Sequence, residues 1–450
     1  MSMSFIIACE SGKRKIAEIL LKNQEVDVAY TDEKGRTALH YAAHRGYLDI
    51  VKALIEAGAV LDYEDHHGET PLFFACLQKQ KQTAVYLLEQ GASTSINDLQ
   101  GNSLLHLTAR TSQLEILKQL LDNGMEADLE NNQAETPLLV ASCFRNKEVV
   151  LELINHGANV NVTDKAGNTP LINAVGAKSM PVIETLLQNG ADVNHANHGG
   201  ETPLLFACYQ NNNMVIKLLV EHHADLKVSS NSGLSPIWYA CNHNQKEIVA
   251  LFLEHGIEVN YSKPLSQGDD DMSSYLDWVQ TANNLSADSG YNLGPGYEPG
   301  GESLLHVAVK NGHLSLVKLL VEKGALVNIQ DESGNTPLHY AAANGKKDIV
   351  RYLLEQRADT AVVNVKEQKA IDYSNIKGFN EITQLLLDFG PKDTAKSQPA
   401  TAEAVMETKA GAADDMATKK KALLDLKDLL DVGVLTQEEF DAEKMKILKG

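Results

Sequence analysis

A short phrase of residues recurs through this chain at a constant interval. Its complete form, Thr-Pro-Leu, begins at Thr70, Thr136, Thr169, Thr202 and Thr336, and altered copies begin at Thr37, Ser103, Ser235 and Ser303. Extending the same step to both sides reaches Ser4 and Lys369. A period of this length, about 33 residues, is typical of a solenoid, in which each unit buries its apolar face only against its neighbours. The sequence therefore predicts eleven stacked units.

The unit that begins at Asp331 shows why each repeat should fold as a turn followed by two helices. Gly334 suits a turn that needs a positive φ. Thr336 is placed to cap a first helix, Pro337 suits its first turn, and Gly345 suits the residue after its end. The apolar positions then recur at helical spacing and predict a buried stripe on each helix; they are Leu338, Ala341, Ala342, Ile349, Val350, Leu353 and Leu354.

The phrase Thr336-Pro-Leu-His339, followed by Ala341 and Gly345, resembles the ankyrin repeat, and the resemblance covers about residues 2–392. It implies an all-α repeat solenoid of helix-turn-helix units with β-hairpin loops and a concave groove that binds proteins. Units one to eight would span 2–262 and units nine to eleven 298–392.

Three positions depart from the pattern where glycine is expected. His223 and Arg357 replace the glycine that follows the second helix in most units, and Ala134 replaces a hairpin glycine. A residue with a side chain in a left-handed conformation costs about 1 kcal/mol. We expect these positions to be weak points of the stack.

The step from Ser235 to Ser303 is slightly more than twice the usual interval, so an insertion lies at 263–297. It contains three consecutive aspartates, Trp278 and three tyrosines. Two interpretations are open. A long loop costs little closure entropy and is tolerated without a function, whereas exposed aromatic side chains suit a specificity element for a partner.

Two further segments follow the last unit. Residues 393–418 lack apolar periodicity and are predicted to be a disordered linker. In 419–450, Leu423, Leu426 and Leu430 share a helical face, and Thr436-Gln-Glu-Glu439 before Phe440 has the pattern of a capping box. This pattern is similar to the SHOCT module, a small helical hairpin. The resemblance implies a bacterial source and an oligomerisation contact.

The formal net charge of −20 disfavours nucleic acids and anionic membranes as partners. It favours a protein partner with a basic surface patch. The first residues do not form a signal peptide, and no apolar run reaches the roughly 18 residues that a membrane span needs. We therefore expect a cytoplasmic protein.

The repeat assigns structural positions to most residues that could be catalytic or could bind a metal. The five cysteines lie on first helices, and Cys76, Cys208 and Cys241 occupy a position where a small buried residue is needed. The spacing of the five does not suit zinc. His40, His106, His306 and His339 occupy the position that is structural in the family. The sequence therefore predicts no catalytic residue, no metal and no cofactor.

In the family, variable contact positions lie at the hairpin tips and near the end of each first helix. Carrying this pattern over, we expect a partner protein to contact side chains along the groove together with the insertion. The candidates are His44, Arg45, Leu77, Gln78, Arg110, Phe144, Tyr209, Gln210, Trp238, His243 and Trp278.

These features support three functions. The first is a non-catalytic scaffold that binds a partner in the groove and self-associates through 419–450. The second is a bacterial effector delivered into a host cell, where it redirects or inhibits a host protein; Glu438, Glu439 and Glu443 ahead of Leu448 are similar to type IV secretion signals. The third is an enzyme with its catalytic residues in the insertion, which is disfavoured because a catalytic domain needs about 100 residues. Detection of the protein in host cytosol separates the first two.

Overall fold

The computed structural model describes residues 2–23, 26–231, 233–263, 293 and 300–390. Trp278, the linker and the module at 419–450 lie outside these residues. The described part contains 22 helices in eleven pairs, so unit n consists of a first helix α(2n−1) and a second helix α(2n).

The first helices are short, with seven to nine residues each. They are α1 (Ser2–Glu10), α3 (Ala38–Arg45), α5 (Pro71–Leu77), α7 (Leu104–Thr111), α9 (Pro137–Cys143), α11 (Pro170–Gly176), α13 (Pro203–Tyr209), α15 (Pro236–Asn242), α17 (Leu304–Lys310), α19 (Pro337–Ala343) and α21 (Ala370–Ile376).

The second helices have nine or ten residues. They are α2 (Arg14–Lys22), α4 (Leu48–Glu56), α6 (Lys81–Glu89), α8 (Leu114–Asp122), α10 (Lys147–Asn155), α12 (Met180–Gln188), α14 (Asn213–Glu221), α16 (Lys246–Glu254), α18 (Leu314–Glu322), α20 (Lys347–Glu355) and α22 (Asn380–Phe389).

The repeated Thr or Ser starts the first helices as predicted. Thr70 has an extended backbone, and its hydroxyl accepts the Phe73 N–H at 3.3 Å. This bond satisfies one of the four N–H groups that a helix start leaves without a partner. Pro71 follows in the first turn, where its missing N–H costs nothing.

Hydrogen bonds between successive hairpins replace a continuous sheet. The described residues contain no strand, and isolated antiparallel bridges close three hairpins, for example Thr31 with Thr37. Each tip instead bonds to the next one: the His66 N–H donates to the Lys34 carbonyl at 3.0 Å, and the Asn132 N–H donates to the Gln100 carbonyl at 2.9 Å. The all-α solenoid with hairpin loops is therefore confirmed.

Unit 1 has a different register from the one predicted. The glycines that follow α1 and α3, Gly12 and Gly46, are one position further apart than the repeat interval, so the unit is aligned one position earlier than Ser4 indicates. The ends of α2 and α4 differ by the same amount, whereas Asp32 and Asp65 of the following hairpins keep the regular interval. The extra residue lies in the connection after α2, where it shifts no helix.

One continuous apolar core runs from Phe5 in unit 1 to Leu386 in unit 11. First helices of the inner units are buried on nearly every side because each packs against the first helices of both neighbouring units. Second helices bury one stripe and expose the other face. Cys9, Cys76, Cys208 and Cys241 are part of the buried first-helix layer, as their positions predict.

The three predicted departures from glycine adopt the strained conformation. Ala134, His223 and Arg357 have φ of 57°, 63° and 64°. Sequence reasoning missed a larger set, because in the six central units the residue that follows the first helix also has a positive φ and a side chain. These residues are Lys79, Ser112, Arg145, Lys178, Asn211 and Asn244. The other five units have glycine there.

Buried histidines join neighbouring units by hydrogen bonds. Nδ1 of His40 accepts the Thr37 N–H at 3.0 Å, so its ring proton lies on Nε2 and is donated to the Glu69 carbonyl of unit 3 at 3.1 Å. His106, His306 and His339 make the same bridge. Burial lowers the pKa of His40 to about 4 and that of His306 to about 3. These rings are therefore neutral at pH 7.

Relief of the left-handed strain should stabilise the stack. We expect His223→Gly and Arg357→Gly each to raise the free energy of unfolding by about 1 kcal/mol. Gly256→Ala is the matched control, because an added Cβ there would meet nothing within 4 Å and only the backbone strain would change. It should lower stability by a similar amount. Denaturant unfolding measures all three, and an unchanged midpoint for both glycine variants would contradict the strain.

The buried histidines should make the stack sensitive to acid. Unfolded histidine takes up its proton near pH 6.5, whereas folded His40 does so only near pH 4. Between these values the unfolded state binds more protons, so stability falls as the pH falls, by about 1.4 kcal/mol per pH unit for each such histidine.

His40→Leu tests this origin, because Leu139 and Leu205 occupy the equivalent position in units 5 and 7. The variant should show a shallower loss of unfolding free energy between pH 6.5 and 4, measured by urea titration at several pH values. His67→Gln, at an exposed hairpin tip, is the control. An identical pH slope in wild type and His40→Leu would refute the assignment.

Candidate binding groove

An open cleft of about 530 Å³ lies between units 4 and 5. We call it the central cleft. Its walls come from two hairpin tips and from the exposed side of α7 and α9. The lining residues are Leu99, Gln100, Asn102, His106, Arg110, Asn131, Asn132, Gln133, Glu135, Val140, Cys143 and Phe144. Two predicted site residues, Arg110 and Phe144, thus lie in one concave surface.

Fixed hairpins hold the walls of the central cleft. The Asn132 side chain donates to the Leu99 carbonyl at 3.1 Å, in addition to the bond between its backbone N–H and Gln100. At the base of the cleft, His106 bridges to the Glu135 carbonyl at 2.7 Å. Because backbone bonds hold both tips, the cleft exists without a ligand.

Phe144 and Tyr209 are exposed aromatic residues at the ends of first helices, the layer that is otherwise buried. Phe144 is 51% exposed and Tyr209 is 66% exposed. The Tyr209 ring meets the Tyr239 ring edge to face, with 6.0 Å between ring centroids. Tyr239 in turn lies against Trp238, at 5.6 Å. An aromatic surface therefore continues from unit 7 to unit 8.

Trp238 contributes little to the accessible surface, because it is only 7% exposed. It occupies the position of the bridging histidines, and its ring N–H has no hydrogen-bond partner within the described residues. His243 and the neighbouring Asn244 are exposed at the end of the same unit. The sequence predicted that Trp238 extends the groove, whereas the structure buries its ring edge to face against Tyr239.

The predicted site residues of units 2 and 3 are partly engaged within the stack. His44 is half-buried against Phe74, with ring centroids 5.8 Å apart. The Arg45 guanidinium donates to the Glu10 carbonyl of unit 1 at 3.1 Å. Leu77 is half-buried on the core, and the adjacent Gln78 is exposed. In unit 7, the Gln210 amide donates to the Gly176 carbonyl at 3.1 Å.

The groove position of unit 9 is covered. Lys310 is only 4% exposed and forms an ion pair with buried Glu302. Leu293, the one described residue between 263 and 300, is also 4% exposed, and its carbonyl accepts the Asn344 amide at 2.9 Å. Leu293 thus packs on unit 10 at the end of its first helix. The open part of the groove lies in earlier units.

The ends of the first helices also form a surface of one charge. In units 2 to 8 we define the turn edge as the last first-helix residues and the turn into the second helix: residues 44–48, 77–81, 110–114, 143–147, 176–180, 209–213 and 242–246. It contains no Asp or Glu. Its eight cationic side chains, all exposed, are Arg45, Lys79, Lys81, Arg110, Arg145, Lys147, Lys178 and Lys246.

Among the described residues, no group of three His, Cys, Asp or Glu side chains is placed to hold a metal ion. Cys143 is the exposed cysteine, and burial, reinforced by Glu135 and Asp164, raises its thiol pKa to about 11. A thiol with a raised pKa is a poor nucleophile at pH 7. Cys143 is therefore not an activated nucleophile.

Comparison with known families explains this architecture. The family model described as ankyrin repeats (3 copies) matches residues 5–98, 105–197, 171–263, 280–367 and 305–397. The chain is an ankyrin-repeat protein. A second model, the short C-terminal domain SHOCT, matches residues 421–448. Both predicted resemblances are confirmed. No curated protein matches the chain.

Ankyrin repeats support a role in protein–protein interaction. In the described part of this ankyrin chain, no helix is long and apolar enough to cross a bilayer.

Proposed function

We propose that this ankyrin-repeat protein is a non-catalytic scaffold that binds a partner protein in the groove of units 3 to 7. The exposure of Phe144 and Tyr209 carries the proposal, because these rings stand at the ends of helices whose leucine side chains are buried. Aromatic residues with a nearby arginine are what binding hot spots use.

The partner would place its own side chains in the central cleft. Phe144 and Arg110 line that cleft together, so a segment lying across it would contact an apolar ring and a guanidinium at once. The hairpins that form the walls are held by hydrogen bonds before binding. A preorganised surface loses little conformational entropy when a partner binds.

Exposed aromatic rings should dominate the affinity. We expect Phe144→Ser and Tyr209→Ser each to weaken capture of the partner roughly 30-fold, because a hot-spot truncation costs about 2 kcal/mol or more. Affinity capture from bacterial and host lysates, with the captured proteins quantified by mass spectrometry, compares the variants with the wild type.

Leu151→Ser is the matched control for that experiment. Leu151 is 41% exposed on α10, the second helix of the unit to which Phe144 belongs. It should leave capture unchanged. Retention of the same proteins by the Phe144 and Tyr209 variants would remove the groove from the proposal.

A second contact is proposed for the SHOCT module at 421–448, which lies outside the described residues. The module is about 30 residues long, too small for a substantial core of its own. The predicted apolar face with Leu423, Leu426 and Leu430 would be buried against another copy.

Loss of that face should dissociate the assembly. We expect multi-angle light scattering to report a multiple of the monomer mass for the full chain and the monomer mass for Leu426→Asp and for a chain without 419–450. Lys427→Asp, on the neighbouring polar position, should keep the larger mass. A full chain that is already monomeric at micromolar concentration would overturn this contact.

A further inference from the structure

The charge of the turn edge is opposite to that of the whole chain. The chain carries 60 acidic and 40 basic residues, yet none of the 35 positions of the turn edge is acidic. Acidic side chains begin one position later, on the second helices, as at Asp49, Glu115 and Glu247. The negative excess is therefore kept off this surface.

Internal pairing does not account for the cations. Lys81 pairs with Glu115 of the next unit. By contrast, Lys79, Arg145 and Lys178 have no carboxylate within ion-pair distance anywhere in the described residues. The helix dipole favours a cation near the C-terminal end of a helix, but this interaction falls off within the last turn. It does not require a cation at the residue beyond the helix.

The conformation of these three residues is a second, independent observation. Lys79, Arg145 and Lys178 have φ of 57°, 62° and 57°, in the left-handed region that favours glycine. Units 1, 2 and 9 to 11 carry glycine at this position. Units 4, 7 and 8 adopt the same conformation with Ser112, Asn211 and Asn244. In units 3, 5 and 6 a cationic side chain is kept at this conformational cost, and backbone strain of this kind points to a function.

Apolar and cationic groups alternate along the same edge. Phe144 immediately precedes Arg145 and shares the central cleft with Arg110. Tyr209 lies two units further on. A ligand complementary to this surface carries negative groups together with at least one aromatic or aliphatic side chain.

We infer that the turn edge of units 3 to 7 binds an acidic segment of a partner protein, whose carboxylates meet Lys79, Arg110, Arg145 and Lys178 and whose apolar side chain packs on Phe144. This assignment rests on the proposed scaffold function and names the chemistry of its partner. The net charge of −20 governs long-range steering and favours a basic surface opposite the second helices. Short-range contacts in the groove depend instead on the positive charge of the turn edge.

A nucleic acid is the less favoured polyanion. Its affinity rests on neutralising many phosphates along its length, and it would feel the repulsion of the whole acidic chain. A short acidic protein segment meets the edge alone and also supplies the apolar side chain that Phe144 needs.

The test uses the full chain and two fluorescent peptides of equal length, one with glutamates around a central Leu-Phe pair and one with lysines in their place. Fluorescence anisotropy measures Kd at about 0.05 M and about 0.3 M salt. We expect the acidic peptide to bind, with affinity that falls as salt rises, and the basic peptide not to bind the edge.

Charge reversal locates the binding. The triple variant R110E/R145E/K178E should weaken the acidic peptide by roughly tenfold or more. The control K22E/K227E/K323E reverses three exposed lysines away from the turn edge and changes the net charge equally. It should change Kd less than twofold. Equal losses in both triple variants would show that only net charge matters and would overturn the assignment.

Two further outcomes separate this inference from the proposed function. If the acidic peptide does not bind while capture of a partner still depends on Phe144 and Tyr209, the groove binds protein and the acidic assignment is wrong. If single-stranded DNA competes with the peptide at equal charge and Phe144→Ser leaves both unaffected, the edge is a general polyanion site and the assignment is wrong. Circular dichroism verifies that every variant is folded.

Discussion

The burial of each first helix by its two neighbours is the interaction on which the rest of this molecule depends. A helix of seven residues is too short to be stable alone in water. Leu338, Ala341 and Ala342 are buried because units 9 and 11 cover both sides of α19. Every unit therefore receives its stability from the adjacent units, and the apolar core is one unbroken layer from the first repeat to the last.

This dependence explains where the chain can vary. Positions inside the first helix are committed to packing, so variation is confined to the hairpin tips and to the residues at and beyond the helix end. Phe144, Tyr209 and the turn-edge cations all lie there. The proposed binding surface thus consists of residues outside the apolar core, and some of them carry backbone strain that the stack must offset.

The fold was predictable in detail because its signals are local and repeated. The spacing of Thr70 and its equivalents identified ten of the eleven first helices in register, and only unit 1 was displaced, since one extra residue in a connection leaves no mark in the phrase itself. The backbone strain at His223 and Arg357 was predictable because the repeat places both residues where most units have glycine.

The groove was less predictable because exposure depends on neighbours. The sequence predicted both Phe144 and Trp238 as large apolar residues of the groove. Phe144 is exposed, whereas Trp238 is buried in contact with Tyr239. Leu293, which belongs to the insertion and precedes α17 in the chain, is buried on unit 10, where its carbonyl accepts the Asn344 amide. Single-sequence patterns carry no information about such contacts.

The junction between units 8 and 9 has a consequence for how such chains can be altered. The two ends of the insertion return to one hairpin, where Ser262 bridges Ser303 and the Lys263 N–H donates to the Glu302 carbonyl at 2.9 Å. Helix α15 packs on α17 across the insertion, as the first helices of other consecutive units pack on each other. Since closure entropy rises slowly with loop length, we expect this hairpin to be a permissive graft point, at which a foreign sequence can lengthen the loop while the two ends stay paired.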